Sequence, residues 1–281
     1  MTRSIMQRVW PWLERGAMRL VHRVLSRRSV DRTDALSVKN CLVLAPHPDD
    51  ETLGCGGLIQ RKRAAGASVH VTVVTDGAAT HDGDEAQSLT RDALIDLRER
   101  ETIEACAILG VEADAVSFLR LPDGDLAAHA DGLRERLADI VARIAPEEVY
   151  VCALADGHRD HQALARAVRD LARTDRLGRA DLLEYPVWFW DFRSWRPDGL
   201  SNKAGFVSGL RAALAHARRA PVQHVSIAGL VERKRAALAC HRSQLGTYEG
   251  EPDWVGLPDA FLAHFNDDRE FFFDVPRDRD S

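Results

Sequence analysis

A five-residue apolar run, Cys41-Leu42-Val43-Leu44-Ala45, stops abruptly at Pro46-His47-Pro48-Asp49-Asp50-Glu51. Because it is apolar at every position and not at every second one, the run suits a strand buried on both faces. Such strands belong to parallel sheets covered by helices on each side. The chain downstream keeps to that pattern. A helix is expected over about 53–65, a strand over 69–75, and a helix over about 90–109 closed by Gly110. Further strands are expected near 115–119, 149–153 and 182–187, separated by helices near 132–144 and 161–171, with a last helix over about 227–241. This β-α-β-α order predicts an α/β fold: a Rossmann-like, mostly parallel sheet with helices on both faces.

Charge and cysteine usage narrow the function. With 38 basic against 43 acidic residues the net charge is −5, so no overall positive field exists to hold nucleic acid. Five cysteines without C-x-x-C spacing cannot all pair within one chain and fit a reducing cytoplasm. No apolar run approaches the ~20 residues of a membrane span, and the N-terminus lacks a signal-peptide core.

The first thirty residues differ from the rest, with seven arginines (Arg3, Arg8, Arg15, Arg19, Arg23, Arg27, Arg28) against the single acid Glu14. On a helical projection Met6, Trp10, Leu13, Ala17, Leu20, Val21 and Val24 fall on one side, and Arg8, Arg15, Arg19 and Arg23 on the other. The segment reads as an amphipathic helix, with a restart expected at Pro11. It either packs on its own domain or a partner, or lies on a membrane surface through residues 1–30. On composition, residues 1–36 form a basic N-terminal extension and 37–281 the main domain.

Two clusters carry chemistry. The first, His47 through Glu51, stands at the carboxyl end of the first strand, where ligands of open α/β sheets bind. A histidine beside three acids is costly to assemble unless it binds a cation or moves protons. Pro46 and Pro48 stiffen the turn so that His47 and Asp50 can converge. The second cluster, Asp156-Gly157-His158-Arg159-Asp160-His161, follows the strand over 149–153 and opens a helix. His47, Asp50 and one histidine of the second cluster would give two nitrogens and one oxygen with a position left for water, the composition of a catalytic zinc site.

The sequence resembles the PIG-L/LmbE-like N-deacetylases, whose marks are an A-H-P-D-D-E loop and a downstream H-x-D-H segment. Here Pro46 takes the position usually held by alanine. The likeness extends to Thr75-Asp76-Gly77, to Arg98 through Glu101, to Asp123-Gly124 and to Lys234 through Gln244, covering roughly residues 40–245. It implies that Zn2+ is bound by His47, Asp50 and His161, that Asp49 is the general base, and that His158 is an electrophilic or acid histidine oriented by Asp160. It further implies that hydroxide attacks the amide carbon and that the oxyanion forms against zinc and protonated His158. Either Asp49 or His158 would protonate the departing amine. Arg98 matches a substrate-contacting position, or is a helix-surface ion pair with Glu101 or Glu104. His241-Arg242-Ser243-Gln244 either borders the pocket or caps a helix. Trp188, Trp190 and Trp195 either stack on sugar faces or fill the core.

The expected activity is zinc-dependent removal of an acetyl group from an N-acetylated amine, an N-acetylglucosamine-type sugar or glycoconjugate. The alternatives are a metal-dependent amidase for a larger amide, such as a thiol conjugate or acylated glycolipid, and a non-catalytic Rossmann-like binding module. The last lacks any glycine-rich phosphate loop. Loops over 79–88 and 186–202 are expected to choose the substrate.

Overall fold

The computed structural model describes residues 2–80, 88–195, 203–251 and 253–276. Helix α1 (Thr2–Arg28) leads through β1 (Val30–Asp31) and α2 (Thr33–Ser37) into β2 (Cys41–Ala45), the apolar run singled out above. There follow α3 (Asp50–Ala64), β3 (Val69–Thr75), α4 (Arg91–Leu109), β4 (Val116–Leu121), α5 (Ala130–Ile144), β5 (Glu148–Cys152), α6 (Arg159–Arg173) and β6 (Asp181–Tyr185). The chain ends with α7 (Lys203–Arg219), β7 (Val222–Ser226), α8 (Val231–Leu238), α9 (Arg242–Leu245), α10 (Asp259–Leu262) and β8 (Arg269–Asp274).

The strands form one sheet in the order β1-β7-β8-β6-β5-β2-β3-β4, and every pairing is parallel except those of β8 with β6 and β7. This is the α/β architecture expected from the sequence. All five positions of β2 are buried, as are those of β5. From β2 the chain winds outward through β3 and β4, then returns to place β5 on the other side of β2. That reversal leaves a crevice at the carboxyl ends of β2 and β5. The two clusters lie on the loops leaving those strands.

Strands β1, β7 and β8 were not foreseen. The first is only two residues long, and the other two occur where aromatic and polar texture gives no clear period. Helix α1 runs unbroken through Pro11, and the expected last helix is shorter, as α8. Ala17, Met18, Val21 and Leu25 of α1 are buried in the main core, and β1 pairs with β7. Residues 17–31, distinct in composition, are thus packed into the same body as the rest.

Helix α3 approaches its neighbours through glycines. A Cβ on Gly54 would sit 2.1 Å from the Tyr185 ring, and one on Gly57 would sit 2.2 Å from Ile227. Tyr185 is itself fixed, its hydroxyl donating to the Leu44 carbonyl at 2.8 Å. Beside them a buried pair, Lys234 and Glu270 at 2.7 Å, grips the helix backbone. Lys234 Nζ donates to Leu53 O, and Glu270 accepts the N–H groups of Gly57 and Leu58.

Gly54→Ala is expected to destabilise the fold by roughly 1–3 kcal/mol through overpacking against Tyr185. Urea unfolding checks this; an unchanged midpoint would mean that α3 has room to shift.

Candidate active site

The loop after β2 and the N-terminus of α6 bring together five of the expected residues, His47, Asp49, Asp50, His158 and His161, within one crevice. His158, Asp160 and His161 come from α6 and its N-cap, and the His158 ring itself caps the helix, its Nδ1 accepting the Asp160 N–H at 3.3 Å. Ring centroids of His47, His158 and His161 lie 4.7–5.3 Å apart, and one nitrogen from each falls within 4.8 Å of the others.

Second-nitrogen partners fix which way the two deeper rings present their lone pairs. His47 Nε2 faces Asp123 Oδ1 at 3.2 Å and Asp160 Oδ2 at 3.3 Å, so it carries the ring proton. His161 Nδ1 faces the buried Asp156 carboxylate at 2.9 Å, with the same consequence. What remains on each ring is a nitrogen that, in the neutral form, is an acceptor. His47 Nδ1 and His161 Nε2 each lie 3.2 Å from one oxygen, Asp50 Oδ2. His161 Nε2 is buried without a hydrogen-bond partner. Two lone pairs aimed at one buried carboxylate oxygen repel unless a positive charge sits among them.

The titration of the bare site says the same. Burial alone would lower His47, but hydrogen bonds to Asp123, Asp160 and Asp50 push it up to about 10. His161 is also raised, burial being outweighed by Asp50, Cys152 and Asp156. Asp50, which burial would raise, is held below its ordinary range by His161 and His47. Protons here occupy the place that a divalent metal fits. Two imidazole nitrogens and one carboxylate oxygen, each backed by a hydrogen-bonded carboxylate or backbone, could hold a metal and leave room for water.

Above this set opens a cavity of about 340 Å³, large enough for a sugar residue. Asp49, Arg98 and Gln244 line one part of it, and Trp188, Leu257 and Phe261 another.

Residues 42–172 match the PIG-L family, described as GlcNAc-PI de-N-acetylase. The chain is 30% identical over 143 residues to an uncharacterized deacetylase of Escherichia coli, covering 48% of this chain and 69% of that protein. It is also 30% identical over 269 residues to 1D-myo-inositol 2-acetamido-2-deoxy-alpha-D-glucopyranoside deacetylase of Rhodococcus opacus, covering 82% and 91%. The chain belongs to the PIG-L family. One relative of different chemistry, the 4-oxalmesaconate hydratase of Pseudomonas putida, is 29% identical over 176 residues, 57% of this chain and 66% of that protein. Among solved structures, the A40926 pseudoaglycone deacetylase superposes with a TM-score of 0.63, covering 86% of this chain and all of that one. At 19% identity that likeness speaks for the fold alone.

Within this PIG-L site, Asp49 adopts a strained backbone, with φ 123° and ψ −28° for a residue that is not glycine. The peptide before it is held at both ends. Arg98 Nη2 donates to Pro48 O at 2.8 Å, and Glu51 Oε2 accepts the Asp49 N–H at 3.1 Å. Glu51 is secured in turn by Thr52 Oγ1 at 2.6 Å and His241 Nε2 at 3.2 Å. Burial and the neighbouring Asp50 push Asp49 up to about 7, against the pull of Arg98 and His241. A bound cation would bring it lower.

Several sequence expectations change here. Arg98 is no surface ion pair. It is buried, and its guanidinium is occupied by Pro48 O, Gly77 O and Thr80 Oγ1, so it supports the metal loop. The Asp160 carboxylate does not reach His158; it faces His47 and accepts the N–H groups of Gly124 and Leu126 at 2.7 and 3.1 Å. Burial and the positive His47 and His161 push His158 down to about 4, which favours its neutral form. With Nδ1 accepting, its Nε2 carries the proton. Among the three tryptophans only Trp188 lines the cavity; Trp190 stacks on His264, and Trp195 donates to Phe189 O. His241 is buried on Glu51, while Gln244 does border the cavity. Asp123 and Asp156 were given no role from sequence. Asp156 was legible only as another acid in its cluster, because its partners Val187 and Phe189 lie some thirty positions away. Residues 81–87 and 196–202 of the expected substrate loops lie outside the described residues.

Arg98→Met should loosen the metal loop and remove a positive charge 4.0 Å from Asp49. Since that charge lowers Asp49, its loss moves the acidic limb of kcat/KM upward by roughly half a unit to one unit. A raised KM with an unmoved limb would instead mark Arg98 as a substrate contact.

Proposed function

We propose that this PIG-L family member is a zinc-dependent hydrolase that removes the acetyl group from an N-acetylglucosamine-type sugar or glycoconjugate. The observation that carries the reading is the pair of buried imidazole nitrogens converging on Asp50 directly beside the strained Asp49. His47, Asp50 and His161 would hold zinc. Bound there, zinc supplies a Lewis acid that acidifies water and polarises an amide carbonyl.

The remaining steps fall to this chain's own side chains. Asp49, buried beside Asp50 in the cavity, accepts the proton of the attacking water. His158 presents a neutral Nε2–H to the carbonyl oxygen as charge develops on it. Its tautomer is set by the Asp160 N–H on the opposite nitrogen. Asp49 then returns its proton to the departing nitrogen. Trp188, stacked on Phe261 at 4.8 Å, offers an apolar wall to a sugar face. Arg98 acts as a positioning residue.

The relative that is a hydratase keeps a second chemistry in view, and a larger amide a third; acetate as product separates both from the reading above. The five free cysteines favour a reducing cytoplasm, and the basic residues 1–30 favour peripheral contact with a membrane. Among the described residues no helix is long and apolar enough to cross a membrane.

Metal analysis should find about one zinc per chain, with acetate release from N-acetylglucosaminides abolished by chelation. Asp49→Asn should keep most of the metal yet slow acetate release by ~10²–10⁴, the usual cost of losing a general base. Asp50→Ala should lose both metal and activity. Near-normal turnover by Asp49→Asn, or full zinc in Asp50→Ala, would overturn these roles.

A further inference from the structure

Helix α1 stands at the catalytic edge of the sheet. Strand β8 is antiparallel to β7 and begins opposite its last residue, with Arg269 paired to Ser226. Because β7 runs parallel to β2, the segment preceding β8 lies at the carboxyl edge that carries the cavity. His22 Nε2 contacts Asp267 in that segment at 2.9 Å, which places His22 level with the edge. At its other end, Arg28 reaches Ala217 O, just before β7 begins. The helix axis therefore passes from the far edge, past His22, and out beyond the catalytic side. At 1.5 Å per residue Trp12 stands about 15 Å further out than His22.

Its base is firmly seated. Ala17, Met18, Val21 and Leu25 are in the core, and His22 packs on Trp190, next in chain to the segment that lines the cavity. The outward face is different. Trp12 (71% exposed), Leu13 and Leu20 share it with the exposed Arg15, Arg19, Arg23 and Arg27. At 100° per residue these seven fall within an arc of about 160°. The apolar members gather at the catalytic end, where Val207, near the start of α7, is also exposed. Toward the base of the helix only arginines remain. The charge is local: the chain as a whole is acidic, while its first thirty residues carry seven arginines and one glutamate.

We propose that this face of α1 docks on an anionic lipid bilayer, with Trp12, Leu13 and Leu20 entering the interface and the arginines on lipid phosphates. Since the apolar residues lie at the catalytic end, that end sits deepest and tilts the cavity mouth toward the lipid.

The full chain is sedimented with vesicles of phosphatidylcholine alone and of phosphatidylcholine with 30 mol% phosphatidylglycerol. Binding is expected to be at least tenfold stronger with the anionic lipid, to weaken with added salt, and to fall at least tenfold in a Trp12→Ser/Leu13→Ser/Leu20→Ser variant and in Arg19→Glu/Arg23→Glu. These positions face outward, and an unchanged melting temperature verifies that the variants fold. Equal partition to both vesicle types, or no partition, overturns the proposal. So does a concentration-dependent dimer that the serine variant dissociates, since the face would then be covered by a second copy. Acetate release by the wild-type chain from a soluble N-acetylglucosaminide tests the deacetylase reading separately. Its failure with vesicle binding intact removes the deacetylase reading and leaves the docking face.

Discussion

Two imidazole nitrogens converge on a single buried carboxylate oxygen, and most of the site exists to sustain that arrangement. Asp123 and Asp160 hold the proton of His47 on the far nitrogen, and Asp156 does so for His161. Without those three carboxylates either ring could turn its protonated nitrogen inward and satisfy Asp50 with an ordinary hydrogen bond. With them both inner nitrogens face Asp50, and protons or a cation must lie between. The energetic logic is that of buried charge in general: removing one partner costs far more than the assembled set gains.

Around this centre the backbone is held by clamps from distant parts of the chain. Asp49 occupies a conformation of the kind that costs on the order of 1–3 kcal/mol and persists only when its surroundings impose it. Arg98 grips the carbonyl of the peptide preceding it and Glu51 the N–H, while His241 anchors Glu51 from the C-terminal part of the fold. One turn on from Arg98, Glu101 accepts from Ser243 N and Oγ and so fixes the segment carrying His241. Helix α4 thereby ties the metal loop and the C-terminal segment to each other. Glycines 54 and 57 let α3 come close enough for this assembly to close.

The sequence by itself determined the parallel α/β core, because a strand buried on both faces must be apolar at every position and the β2 run is. It also marked the two clusters at strand ends as the candidate site, and His47, Asp49, Asp50, His158 and His161 of those clusters are found together. Tertiary structure alone decided what the supporting residues do. Arg98 reads as a surface or substrate-binding arginine until helix α4 is packed under the metal loop. Asp160 reads as a partner of His158 until its carboxylate is seen on His47. Strands β7 and β8, the core seat of α1 and the His241–Glu51 contact were likewise hidden. The physical reason is range. Periodicity and motif spacing record interactions between residues near in sequence, whereas a hydrogen bond between positions 51 and 241 leaves no local pattern.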